Sequence, residues 1–275
     1  MAFNTLTAVT ASPGNSSDIA ALIEGVRWSS GAGASTVITY SFANAASQYD
    51  AAEAAFSNTR SEFSAQDKAM TREVLASIAA VCKVSFVEVA DAGADCGAIR
   101  YGYSQQPNLL GFSGYAFEPS ASEIGGDVWL GQAQSGKEWE FARKFFIAHE
   151  TGHALGLAHP FEGPNALPAN LDILPNTVMS YSAVAGSMSG AMSSYPAEPM
   201  VLDIAALQLL YGAADFNTGN TVYNLADARF QSFCALWDSS GRDTLDASSC
   251  TAGVKLDMSP GARSALAFIF TFTWK

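Results

Sequence analysis

His149-Glu150-Thr151-Gly152-His153-Ala154-Leu155-Gly156-Leu157-Ala158-His159 is the stretch on which the reading of this chain turns. The sequence of 275 residues has only 3 histidines, and all of them fall here. His149 and His153 are four apart, so on a helix their rings leave one face a turn apart, within reach of one metal ion. Glu150 lies about 100° further round the helix. There it can lean over an open coordination position without being a ligand, take a proton from water activated at a metal, and later return it to a leaving amine. Gly156 accepts the left-handed conformation that stops a helix, and the turn after it lets His159 come back as a third ligand.

The residues before the motif suit a buried helix. Ala142, Phe146, His149, His153 and Gly156 fall on one stripe, and Phe145, Ala148, Gly152 and Leu155 on another, so the helix is expected to be covered on both sides. A lone HExxH arises by chance in many helices. The extended form, with a glycine and a third histidine at set places in a chain that has no other histidine, is far more specific, and three imidazoles with a free position define a catalytic zinc site.

Asn176-Thr177-Val178-Met179-Ser180-Tyr181 follows about twenty residues later. HExxHxxGxxH followed by a methionine turn is the metzincin signature, with Met179 as an apolar floor beneath the ligands. The chain resembles the serralysin branch of the metzincins, secreted bacterial zinc endopeptidases. His159-Pro160 and Met179-Ser180-Tyr181 carry the resemblance. So do residues 28–42, Gly126-Asp127-Val128-Trp129-Leu130 and the segment 203–212, and the resemblance spans roughly residues 18–257.

The resemblance implies an α+β catalytic domain of metzincin type: a twisted mixed sheet with long helices, the active-site helix and then the Met-turn. It implies zinc (Zn2+) on His149, His153 and His159, with Tyr181 as a further ligand at rest that swings away to stabilise the oxyanion, and Glu150 as general base. It also implies a short N-terminal propeptide, for which residues 1–17 are the candidate, then a catalytic domain over 18–213. Export without a Sec signal peptide follows from it too, since serralysins leave by a one-step exporter that reads the C-terminal end. The expected partners are a protein or peptide substrate bound as an extended strand and a proteinaceous inhibitor, the chain itself being a monomer.

From about residue 214 to 275 the composition shifts to glycine, threonine, aspartate and serine with short strand-like runs. In serralysins a calcium-binding β-roll begins here. By that resemblance Asn217, Gly219 and Thr221 in one loop, and Asp238, Ser240, Gly241 and Asp243 in the next, would supply oxygens to calcium (Ca2+), which takes six to eight. Asn217 stands where arginine is usual and Ser240 where glycine is usual. The GGxGxDxUx repeats of a full roll are absent, so the region reads as a β-rich remnant or a small replacement. The terminal run 265–275 alternates Phe and Thr in the manner of a strand.

Charge narrows the partners. A net charge of −12 argues against nucleic acid and anionic membrane. No run reaches the length of a membrane-spanning helix, and residues 1–18 contain no Lys or Arg and no sustained apolar core, unlike a Sec signal. The 4 cysteines (82, 96, 234, 250) lie away from the histidines. They allow three pairings, nearness favours 82 with 96 and 234 with 250, and free buried thiols are the alternative.

Elsewhere, 35–42, 85–90, 98–104, 114–117 and 126–130 read as strands and 64–81 as a helix, with Ser64 and Asp67 as a capping pair. Residues 114–117 are the expected edge for an incoming peptide. Segment 160–178, with prolines at 160, 164, 168 and 175, connects the third histidine to the Met-turn. Residues 200–211 read as a closing helix with Leu202, Ala205, Ala206, Leu209 and Leu210 on one face. Two rivals use the same residues: a zinc-stabilised binding protein on an inactive protease scaffold, and a zinc amidase acting on small or cell-wall substrates.

Overall fold

A computed structural model describes residues 6–12, 14, 16–31, 35–93, 95–183, 194–259, 261–266 and 270–274. In chain order the strands are β1 Thr7–Thr10, β2 Val26–Ser29, β3 Thr36–Phe42, β4 Val84–Glu88, β5 Ile99–Ser104, β6 Gly114–Ala116, β7 Val128–Gly131, β8 Val222–Asn224, β9 Cys234–Leu236, β10 Thr244–Asp246, β11 Val254–Lys255, β12 Arg263–Leu266 and β13 Phe270–Trp274. The helices are α1 Ser17–Ala20, α2 Ala54–Ser57, α3 Ala65–Val81, α4 Gln106–Leu109, α5 Glu140–Ala154 and α6 Val201–Tyr211.

A five-stranded mixed sheet in the order β4-β3-β5-β7-β6 organises the molecule. β3, β4, β5 and β7 run parallel, and β6 is an antiparallel edge. β5 and β7 are buried at every position, as expected of inner strands covered on both faces, whereas β4, at the end of the sheet, exposes Ser85 and Glu88. This arrangement fits a metzincin-like domain. α3 begins at a capping box: Ser64 Oγ accepts from the Asp67 amide at 3.2 Å, and Asp67 Oδ2 accepts from the Ser64 amide at 3.0 Å. The other oxygen of Asp67 takes a 2.9 Å bond from Arg143 Nη1, so the cap also fastens α3 to α5.

On the other side of the sheet Arg100 is buried between Glu53 and Asp127, with its guanidinium 4.0 Å from the Tyr49 ring centre. Trp129 Nε1 donates to Glu53 at 2.8 Å. Burial raises both carboxyls, and Arg100 opposes that shift.

Two expectations need correction, the inner face of α6 and the pairing of the cysteines. The buried face of α6 is Asp203, Ile204, Leu207, Leu210 and Tyr211 with Val201 and Ala206, whereas Leu209 is 43 % exposed. The helix is apolar nearly all round, so periodicity alone cannot choose its inner face. All four cysteines are free thiols, Cys82 and Cys234 among the core residues. The segment expected as a propeptide forms a strand, β1, paired antiparallel with β2, and Leu6, Ala8 and Ala11 pack on the main core; residues 1–5, 13 and 15 lie outside the described residues.

The C-terminal part contains β8 and β10 paired in parallel and a four-stranded sheet in the order β11-β12-β13-β9. Tyr223, Leu225, Phe230, Cys234 and Leu236 form a small core of their own, while Ala235 belongs to the main one. The terminal run reads out as strands β12 and β13, with residues 267–269 and 275 outside the described residues. Among the described residues no helix is long and apolar enough to cross a membrane.

Candidate metal centre and cleft

α5 carries the first two histidines and ends as the sequence predicts. Gly156 has φ +94°, and a Cβ there would overlap the Val26 carbonyl, so only glycine fits the turn. The end of α5 is held from two sides. Trp28 Nε1 donates to the Ala154 carbonyl at 2.8 Å, and the Tyr211 hydroxyl donates to the Leu155 carbonyl at 2.7 Å. Beyond the turn the Ala158 amide bonds Leu22 and the Glu24 amide bonds Gly156. These contacts satisfy carbonyls that a helix end leaves open and set the direction in which the chain leaves toward His159.

The three rings meet at one point. His159 Nε2 is 3.2 Å from His149 Nε2 and 3.0 Å from His153 Nε2. Each opposite ring nitrogen faces an acceptor: His149 Nδ1 the Val178 carbonyl at 2.8 Å, His153 Nδ1 the Leu157 carbonyl at 2.9 Å, and His159 Nδ1 Glu162 Oε1 at 3.1 Å. In that tautomer the Nδ1 protons point outward and three Nε2 lone pairs point at one another. Such an arrangement is repulsive by itself and is the one a shared cation requires, with the outer acceptors fixing ring orientation. Burial, and then His159, pushes His149 down to about 3. Burial holds His153 well below, and His159 below, the usual imidazole range. All three are thus neutral, the form that binds a metal. The residues present fit zinc: three nitrogens, with the Tyr181 hydroxyl 2.9 Å from His159 Nε2 at the same point.

Glu150 lies beside this point and is 7 % exposed; burial pushes its carboxyl up to about 8. Its neighbour is the backbone of β6. A Cβ on Gly114 would come within 2.5 Å of Glu150 Oε1 and 2.8 Å of its Cδ. Ser113 and Phe117 bond toward β7. By antiparallel alternation Gly114 and Ala116 therefore turn their amides and carbonyls to the outer edge of the sheet, where no strand among the described residues pairs with β6.

Met179 is fully buried against α5, and Gly152 explains how. A Cβ at Gly152 would meet Met179 Sδ at 2.5 Å, so the missing side chain is the space the sulfur fills. The turn itself hangs on a residue that sequence reasoning assigned no role. Asp203, on α6, accepts from Thr177 Oγ1 at 2.6 Å and from the amides of Val178 and Met200, both at 2.8 Å. The signal for Asp203 is its place three residues into a helix after Met200, where an acidic side chain turns back on the first amide. Trp28, Tyr211 and Glu162 were likewise without a role in the sequence, while Gly114 was expected only as part of the peptide edge and Gly152 only as part of a helix stripe; the contacts that define all five are tertiary.

The second set of candidates comes together through the parallel pair β8 and β10, each preceded by one of the two loops. Asn217 has φ +52° and donates through Nδ2 to the Tyr223 hydroxyl. That hydroxyl in turn donates to Asp238 Oδ2 at 2.6 Å. The Thr221 amide donates to Asp243 Oδ1 at 2.9 Å, and the Ser240 amide to Asp238 Oδ1 at 3.1 Å. A Cβ on Gly241 would overlap the Gly219 carbonyl and lie 3.1 Å from Asp243 Oδ1, so the gap at Gly241 is lined by oxygen. Both oxygens of Asp238 and Oδ1 of Asp243 thus accept hydrogen bonds, and those from Tyr223 and Thr221 tie the second loop to the first and to β8.

No protein-family model matches the chain. The chain is similar to Serralysin B of Dickeya chrysanthemi, with 31 % identity over 175 residues covering 54 % of this chain and 36 % of that protein. It is similar to Metallopeptidase AprA of Pseudomonas marginalis, 28 % over 268 residues covering 82 % and 53 %. Serralysin G of Dickeya chrysanthemi matches at 28 % over 265 residues, covering 84 % and 53 %. The chain spans about half or less of the length of these relatives. In sequence it is serralysin-like, similar to metalloproteases over most of its length.

Proposed function

We propose that this chain is a secreted zinc-dependent endopeptidase. The convergence of three neutral imidazole Nε2 atoms beside Glu150 and an open sheet edge carries this reading, and the metalloproteases among the relatives support it. Zinc held by His149, His153 and His159 would supply Lewis acidity toward water and the peptide carbonyl. The chain's own groups do the rest. Gly114 and Ala116 take the substrate backbone as an added strand. Glu150 removes a proton from the attacking water and delivers it to the departing amine. The Tyr181 hydroxyl donates a hydrogen bond to the oxyanion, and Met179 fixes the floor beneath the rings. Calcium between the loops 217–221 and 238–243 would brace the C-terminal part. The catalytic unit is residues 18–213, the protein acts as a monomer outside the cell, and a proteinaceous inhibitor would occupy the same edge as substrate.

Glu150→Gln is expected to lower hydrolysis of casein by about 10²–10⁴-fold, the range for losing a general base. Elemental analysis should find its zinc content unchanged. A variant that cleaves at the parent rate would remove Glu150 from the mechanism.

A further inference from the structure

The segment leading into β6 exposes an apolar surface that the proposed chemistry does not use. Leu109 is 74 % exposed, Leu110 47 % and Phe112 48 %. Their backbone is nevertheless pinned. The Phe112 amide bonds the Pro107 carbonyl at 2.9 Å, and Asn108 Nδ2 donates both to the Phe112 carbonyl at 3.1 Å and to Gln134 Oε1 at 2.8 Å. Asn108 Oδ1 accepts from the Ala133 amide at 2.9 Å, and Gly111, at φ +87°, makes the turn between Leu110 and Phe112. Three large apolar side chains thus stand in water on a fixed loop, an arrangement that marks a contact surface. This surface continues directly into Gly114, whose backbone packs on Glu150.

Direction follows from the pairing. An antiparallel partner makes the more stable ladder on the outward groups of Gly114 and Ala116. A peptide lying that way, with its scissile bond at Glu150, runs its N-terminal side along residues 115–117 and its C-terminal side back along 113–109. We infer that Leu110 and Phe112, flanked by Leu109, select a large apolar residue at the second position after the scissile bond. The inference rests on the endopeptidase reading and names the determinants of its specificity. The pinned loop adds to the effect, because its backbone hydrogen bonds leave little backbone freedom to lose when substrate arrives.

The test uses paired fluorogenic peptides that differ only at that position, leucine in one and serine in the other. The parent is expected to prefer leucine by about tenfold in kcat/KM, the scale of a modest apolar subsite. The double variant Leu110→Ser, Phe112→Ser is expected to bring the ratio down to about twofold or less on the same scale. Both residues are exposed, so the substitutions leave the core intact. Affinity of the same peptides for Glu150→Gln protein, read by fluorescence anisotropy with and without the loop changes, should follow the same ratio without turnover. An unchanged ratio in the double variant, or a leucine preference found instead on the N-terminal side of the cut, overturns the assignment alone. A parent that hydrolyses neither peptide nor casein overturns the endopeptidase reading, and this inference with it.

Discussion

Asp203 shows how much a single side chain can hold at this site. Its two oxygens collect three donors, from Thr177, Val178 and Met200, in a fully buried place. Burial raises its carboxyl to about 6, against the pull of those three bonds, so it is mostly ionised at neutral pH. Asp203→Ala leaves three buried donors without an acceptor and is expected to cost roughly 3–5 kcal/mol. Urea denaturation of the parent and variant reads this directly; a loss below about 1 kcal/mol, the net worth of one ordinary bond, would mean water replaces the carboxylate. His149 and His153 were legible because a spacing of four puts them on one helix face, and His159 because Gly156 marks the turn that returns the chain to them. Asp203 was not, since its meaning depends on a turn 25 residues earlier in the chain. Gly152 was visible as part of a stripe, but the reason for glycine there is the sulfur of Met179, which only the packed structure supplies.

Among the elements, those with a strong local signal were legible. α3 starts at the capping pair the sequence displays, and the five strands of the main sheet fall where β-branched and aromatic residues cluster. β1, β2 and α4 escaped because in so few residues their mixed polar and apolar side chains make no clear pattern, whereas the equally short β7 shows through its unbroken apolar run Val128-Trp129-Leu130. The inner face of α6 escaped because apolar residues surround it. Contacts between elements also set a pH dependence. Arg72 of α3 forks Glu88 of β4 with bonds of 2.7 and 2.8 Å, and this holds the Glu88 carboxyl below its ordinary value of 4.5. A depressed carboxyl stabilises the fold above its unfolded value and loses that contribution as pH falls through the folded one. The pair is exposed, so Glu88→Gln is expected to cost at most about 1 kcal/mol at neutral pH. The gap to the parent should close in acid, below the ordinary carboxylate value. A gap that persists there would assign the cost to lost packing.

On the scale of the whole molecule, the metal point gathers ligands from α5 and from the far side of the Gly156 turn. Tyr181 joins them from a segment tied to α6 through Asp203. Zinc that binds only the folded chain should therefore raise its stability. Removing it with a phenanthroline is expected to lower Tm by roughly 5–15 °C, with recovery on adding zinc. A chelator selective for calcium is expected to leave the zinc content intact and to loosen only the region around β8 and β10, read by limited proteolysis. A Tm indifferent to the first chelator would show that the rings are not bridged by an ion. The open edge of the main sheet has a further consequence. β6 is only three residues long, with just two of them facing outward. Such a stub is too brief for two folded copies to zip together into a fibre, the usual hazard of an unpaired margin. The same brevity means that a visiting polypeptide gains little from its backbone alone and must earn residence through its side chains.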